Sequence, residues 1–177
     1  MAENGESRDM MEEAVSALQR GDEAGALTIL NEAIQTADRQ VMLQATHLKA
    51  FLLTESDPEE AKRCFREAIE SGDPAVAPQS NMNLGLLLAK EGDFDGAKQS
   101  LIAAIESGDP GFAPESAYNL GIVCRDFGDV EGAERYLQQA VETASPSTAA
   151  EARAVLKKLA RRNRPGLFGR LRGGSRG

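Results

Sequence analysis

The stretch Ala68-Ile69-Glu70-Ser71-Gly72-Asp73-Pro74 returns unchanged as Ala104-Ile105-Glu106-Ser107-Gly108-Asp109-Pro110, 36 residues further on. The repetition spreads outward from it. Asn83-Leu84-Gly85 recurs as Asn119-Leu120-Gly121, Gly92-Asp93 as Gly128-Asp129, and Ala97 with Leu101 as Ala133 with Leu137. Towards the N-terminus, Ala61, Phe65 and Ala68 form the same triplet, as do Ala26, Leu30 and Ala33. The anchor alanines Ala26, Ala61, Ala97 and Ala133 are spaced 35, 36 and 36 residues apart. Four copies at a near-constant period indicate a solenoid of stacked units.

Each copy reads as two helices. Between Ser80 and Lys90 the apolar residues Leu84, Leu87 and Leu88 follow a helical period. Gly92 ends that helix and Asp93 is placed to cap the next. The second helix carries Ala97, Leu101, Ala104 and Ile105, and Gly108-Asp109-Pro110 closes it. Small residues at Gly85, Ala97 and Ala104 let the paired helices approach to roughly 8–10 Å, with Leu84 and Leu101 filling the space beside them. No segment alternates with period two, so the expected fold is an all-α solenoid without strands.

The pattern Asn-Leu-Gly, then Gly-Asp-x-x-x-Ala, then Leu or Phe, then Ala resembles the tetratricopeptide repeat (TPR). The resemblance implies a right-handed α-solenoid and covers residues 7–146 as four repeats, about 7–41, 42–77, 78–113 and 114–146. In this register Lys49 replaces the first-helix glycine of repeat two. In repeat one Ala14 stands there and Glu13 takes the place of the usual Leu. The connectors Gly72–Pro78 and Gly108–Pro114 lengthen the period and resemble one seen in actinobacterial TPR proteins. Residues 147–163 are similar to the helix that caps such arrays, with Ala152, Val155, Leu156 and Leu159 on one stripe. Residues 1–6 read as a flexible N-terminus, and 164–177 as a disordered, basic Gly/Arg-rich tail.

Composition narrows the function. Of the 177 residues 41% are apolar and 27% charged, with no Trp, two Tyr and six Phe. No apolar run approaches the ~20 residues of a membrane helix. The polar, acidic stretch from Met1 to Glu13 is unlike a secretory signal, and the expected location is cytoplasmic. Cys64 and Cys124 suffice for neither a disulfide framework nor a four-ligand zinc site, and both read as small buried hydrophobes. There is no phosphate-binding loop, dinucleotide glycine fingerprint or His-Glu-x-x-His. The reading is therefore of a non-enzymatic protein, with no cofactor, metal or small-molecule substrate implied.

The resemblance implies that first helices line a concave surface and bind protein. The groove residues it points to are His47 in repeat two, Met82, Asn83, Leu86 and Lys90 in repeat three, and Tyr118, Asn119, Ile122 and Arg125 in repeat four. Asn83 and Asn119 occupy equivalent places, and their amides offer a donor and an acceptor to an extended peptide backbone. Lys90 and Arg125 favour an acidic partner segment. His47, the single histidine, reads as a solvated groove residue or a pH-sensitive contact. A chaperone-type carboxylate clamp is not supported. Its five positions read Met11, Val15, His47, Gln79 and Asn83 in one frame, and Thr46, Ala50, Asn83, Glu115 and Asn119 in the next. The leading function is an adaptor that binds an extended peptide or partner helix. The alternative is a scaffold that self-assembles through its solenoid ends as a homo-oligomer.

Charge divides the chain. Residues 1–150 hold 11 Lys/Arg against 27 Asp/Glu, whereas residues 151–177 hold nine against one, Glu151. The body repels nucleic acid and anionic membranes. The tail, with Leu167, Phe168, Leu171 and four arginines, reads as a weak nucleic-acid or anionic contact, a docking motif, or an inert end. At low salt it is expected to associate loosely with the acidic body, near Glu59, Glu60, Glu67 and Glu70.

Overall fold

A computed structural model describes residues 3–162 of the chain, with side chains from Asp9 onward. Nine α-helices and no strand are present among these residues. They are α1 Glu3–Gln19, α2 Glu23–Ala33, α3 Arg39–Leu53, α4 Pro58–Glu70, α5 Ala77–Lys90, α6 Phe94–Glu106, α7 Ala113–Asp126, α8 Val130–Thr143 and α9 Pro146–Arg162. Consecutive helices pack against each other along the chain, so α1/α2, α3/α4, α5/α6 and α7/α8 form four stacked pairs. First helices also touch first helices, α1 with α3, α5 with α7, and α7 with α9. The tail 164–177 lies outside the described residues, and α1 starts at Glu3, inside the segment 1–6 read as preceding the first repeat.

One device starts every second helix. Asp22, Asp57, Asp93 and Asp129 each accept a hydrogen bond from the backbone N–H three residues on, at Gly25 (2.8 Å), Glu60 (3.1 Å), Gly96 (2.9 Å) and Gly132 (2.8 Å). Such caps satisfy donors that have no partner within the helix. Ser145 does the same for α9, accepting from Thr148 N–H at 3.3 Å. Pro146 then occupies a first-turn position whose missing N–H costs nothing.

The turns before these caps are not all alike. In three pairs a glycine with positive φ precedes the aspartate: Gly21 (77°), Gly92 (87°) and Gly128 (86°). There the aspartate N–H bonds the carbonyl five residues back, at Ala17 (3.0 Å), Leu88 (2.9 Å) and Cys124 (2.8 Å). This is the Schellman closure that only a left-handed residue permits. In repeat two Ser56 stands before the cap, no non-glycine residue adopts positive φ, and Asp57 N–H bonds Leu53 O, four residues back, at 2.8 Å. That turn is one residue shorter.

The shortening shifts the register of α3 and corrects the expected alignment. The place of Gly85 and Gly121 is taken by Ala50, fully buried, and not by Lys49. The start of the helix agrees. Asp38 caps Gln40 N–H as Asp73 caps Ala75 N–H, and buried Val41 matches buried Val76, both 35 residues apart. Lys49 instead stands where Leu84 and Leu120 fill the core. It escapes sideways to Glu60, at 3.2 Å. A charge at that place interrupts the apolar interior. One cluster joins Ala50, Phe65, Leu84, Leu101, Leu120, Leu137 and Leu159 across repeats two to four and α9, while a separate cluster of Ala14, Leu30, Ala33, Val41 and Ala45 serves α1 to α3.

The close approach of the paired helices requires small residues. A Cβ on Gly121 would lie 2.6 Å from Leu137 Cγ and 3.0 Å from Leu137 N, so backbone as well as side chain would have to move. Gly121→Ala gains up to ~1 kcal/mol of helix propensity yet is expected to destabilise the fold by about 1–3 kcal/mol through overpacking. Urea denaturation measures the difference, and an unchanged or raised midpoint contradicts the close-approach argument.

Candidate functional site

With α3 in its observed register, the same places on the first helices line up across the molecule. Val15, Phe51, Leu86 and Ile122 are equivalent, and together they mark an apolar stripe across α1, α3, α5 and α7. Three of these side chains are well exposed: Val15 at 42%, Phe51 at 54% and Leu86 at 39%. Ile122 is half-buried. One turn earlier, Met11, His47, Met82 and Tyr118 are equivalent. Between them fall Leu48, Asn83 and Asn119, one per helix from α3 to α7.

An open concavity of about 610 Å³ lies where α1, α3 and α5 meet. Its lining includes Met11, Gln44, His47, Leu48, Phe51, Gln79, Met82 and Asn83. A second, of about 170 Å³, shares Phe51 and Asn83 and adds Thr54, Glu55, Leu86 and Lys90. Phe51 and Asn83 therefore join the two. Phe51 was absent from the expected groove because the glycine-containing turn was assumed in every repeat, which put Ala50 at the exposed place. The sequence did carry a sign of the change. Ala26 and Ala61 are 35 residues apart, not 36, and no glycine precedes Asp57.

His47 is 8% exposed rather than solvated. Its ring is tilted against Phe65, centroids 5.6 Å apart, its Nδ1 lies 2.9 Å from Ser80 Oγ, and its Nε2 lies 3.5 Å from Asn83 Nδ2. An amide nitrogen only donates, so Nε2 accepts and Nδ1–H donates to Ser80. Burial lowers the pKa from 6.5 to about 4, so the ring is neutral at pH 7. His47 thus contacts Asn83 and, although buried, borders the concavity.

The remaining expected site residues divide. Met82 and Leu86 line the concavities. Lys90 does too, but its ammonium is held by Glu55 at 2.5 Å, across neighbouring first helices. Arg125 is held by Asp126 at 2.7 Å. Both cations therefore have internal partners. Asn119, Tyr118 and Ile122 lie on α7 beyond both concavities, where α9 packs alongside. Glu115 accepts from Thr148 Oγ1 at 2.8 Å, and burial together with the nearby Glu151 carboxylate raises the pKa of the Tyr118 hydroxyl. Cys64 and Cys124 are buried, and burial pushes both thiols up, Cys124 to about 11, away from nucleophilic thiolate. No cluster of three potential metal ligands occurs among the described residues.

The tetratricopeptide repeat profile matches residues 52–97 and 82–149, which together are more than half of the sequence. The chain belongs to the tetratricopeptide repeat family. No curated protein matches it in sequence. Among solved structures it is similar to BtubC (BKLC) from P. vanneervenii, at 16% identity and a TM-score of 0.74 over 87% of this chain and 71% of that one. It is also similar to MamA 41-end from Desulfovibrio magneticus RS-1, at 17% identity and a TM-score of 0.62 over 90% and 97%. At such identities the likeness speaks for the TPR solenoid alone. The matched residues start at Leu52, just after the shifted part of α3.

The buried imidazole predicts a pH dependence for this TPR fold. An unfolded histidine titrates near 6.5 and the native one near 4, so between those values the unfolded chain binds more protons. Stability is full above pH 6.5 and falls as the pH drops towards 4. Glu60, held down to about 2 by Arg63 and Lys49, loses its contribution only below its ordinary value of 4.5. Between pH 7 and pH 5 the histidine thus dominates, and the protein is expected to lose about 2 kcal/mol of unfolding free energy. His47→Gln keeps a donor and an acceptor but cannot titrate, so its urea midpoint should be flat over that interval. An equal slope in both proteins contradicts the assignment.

Proposed function

We propose that this TPR chain is an adaptor that binds an extended segment of a protein partner across the apolar stripe of its first helices. The observation that carries the reading is the alignment of Val15, Phe51, Leu86 and Ile122 on successive helices, three of them well exposed. Solitary exposed apolar residues are ordinary, but four in register over a concavity are what an interaction surface provides. Helices in packing contact stand roughly 8–10 Å apart. An extended segment advances ~3.3 Å per residue, so every third side chain meets the next apolar place. Asn83, oriented by His47, offers its amide oxygen to the backbone of that segment. Because Lys90 and Arg125 are already paired, the contact is mainly apolar with backbone hydrogen bonds, and acidic character in the partner is secondary.

A photo-crosslinking amino acid at Leu86 tests this in lysate of the native host. A discrete adduct is expected, absent when the same group replaces Gln99 on α6. Phe51→Ala should reduce it about tenfold, as for a central aromatic anchor worth ~1.4 kcal/mol or more. Asn83→Ala should weaken it by ~1–3 kcal/mol. An adduct that survives both substitutions, or forms equally at Gln99, moves the interface off this face.

A further inference from the structure

Three of the four carboxylates named from the sequence as docking points for the tail already have cationic partners. Glu59 pairs with Lys62, Glu60 with Lys49 and Arg63, and Glu67 with Arg63. A different edge is open. Phe94 at the start of α6 stacks on Phe127 at the end of α7, centroids 5.0 Å apart and planes at 26°. Phe127 is 43% exposed. Around this pair, residues 91–95 and 125–131 hold six carboxylates and one cation, Arg125, which is paired with Asp126, while Glu91 pairs with Lys62 at 2.8 Å. Lys98 lies beside them, paired with Asp129 at 3.7 Å and 5.6 Å over the Phe94 ring. The edge combines an exposed aromatic surface with excess negative charge.

The helix that precedes the tail ends beside this edge. α9 runs parallel to α7, because the contacts Glu115 to Thr148 and Tyr118 to Glu151 keep one offset, 33 residues. Carried to the end of α7, that offset sets Leu159 level with Asp126, so α9 runs three residues past the helix that Phe127 follows. Fifteen residues follow, 163–177, with four arginines, no acid, and the apolar residues Leu167, Phe168 and Leu171. Five extended residues span up to ~17 Å, enough for Leu167 and Phe168 to reach the stacked pair.

We propose that the chain's own C-terminal segment seats Leu167 and Phe168 on Phe94 and Phe127, with its arginines against the carboxylates of the α5–α6 and α7–α8 turns. The apolar seat fixes the place, and the charges draw the segment to it.

The chain has no tryptophan, so Phe168→Trp is a single reporter in the full-length protein. Acrylamide quenching of that tryptophan is expected to be about twofold slower at low ionic strength than at 1 M salt, where the Debye length is ~3 Å. Adding Phe127→Ala should bring quenching to the high-salt level. Asp95→Asn with Asp126→Asn, which leaves the aromatics and the helix caps intact, should do so in part, with helical circular dichroism unchanged. Protection is expected to be independent of protein concentration. A tryptophan quenched alike in every background overturns the proposal. Protection that disappears on dilution also overturns it, since a second copy would then supply the segment.

Discussion

The structure depends on the distance between the helices of a pair. A small residue facing the second helix, Gly85 against Leu101 and Gly121 against Leu137, sets that distance. The aspartate cap sets where the second helix begins relative to the first. Together they determine which residues of a first helix are buried against its partner and which face the neighbouring pairs. The apolar stripe is a consequence of this. It exists because four first helices hold the same rotational setting, and it would scatter over different faces if one of them turned by a single residue.

Repeat two shows that constraint at work. Its sequence lacks the turn glycine, and a non-glycine residue strongly disfavours the left-handed conformation there. The chain closes the turn with one residue fewer, and the helix keeps its setting because Ala50, small enough for the close approach, has moved into the glycine's place. The exchange leaves a charged Lys49 at a core position, relieved by Glu60, and the buried cluster of α1 to α3 stays separate from that of repeats two to four. It also puts an aromatic ring, Phe51, where the other repeats carry aliphatic side chains, and a buried imidazole beneath Asn83. The concavity lined by Phe51, His47 and Asn83 is thus also the place where the repeats differ most from one another.

Most of the fold was legible in the sequence because its determinants are local and repeated. The caps, the turn glycines and the anchor alanines recur in type and spacing, and the structure contains the helix pairs they mark. Met82, Asn83 and Leu86 were pointed to by the resemblance to the tetratricopeptide repeat, and they line the concavities. The rest depended on a one-residue difference in a turn and on contacts between distant segments. Phe51 was hidden by the assumption of a uniform turn. The burial of His47 depends on Ser80 and Phe65 from other helices. The pairing of Lys90 with Glu55 joins two repeats, and the packing of α9 beside Tyr118 brings a ninth helix against the fourth repeat. None of these contacts is a pattern along the chain.

The stripe carries valine, leucine and isoleucine side chains, which makes methyl NMR the most direct test of the account. Spectra of the full-length protein are recorded with and without a partner segment recovered from the native host. The account predicts that the largest shifts fall on Val15, Leu86 and Ile122, while Ile102 on α6 is unmoved. Shifts concentrated on Ile102 and other second-helix methyls, with those of the stripe unchanged, would contradict it.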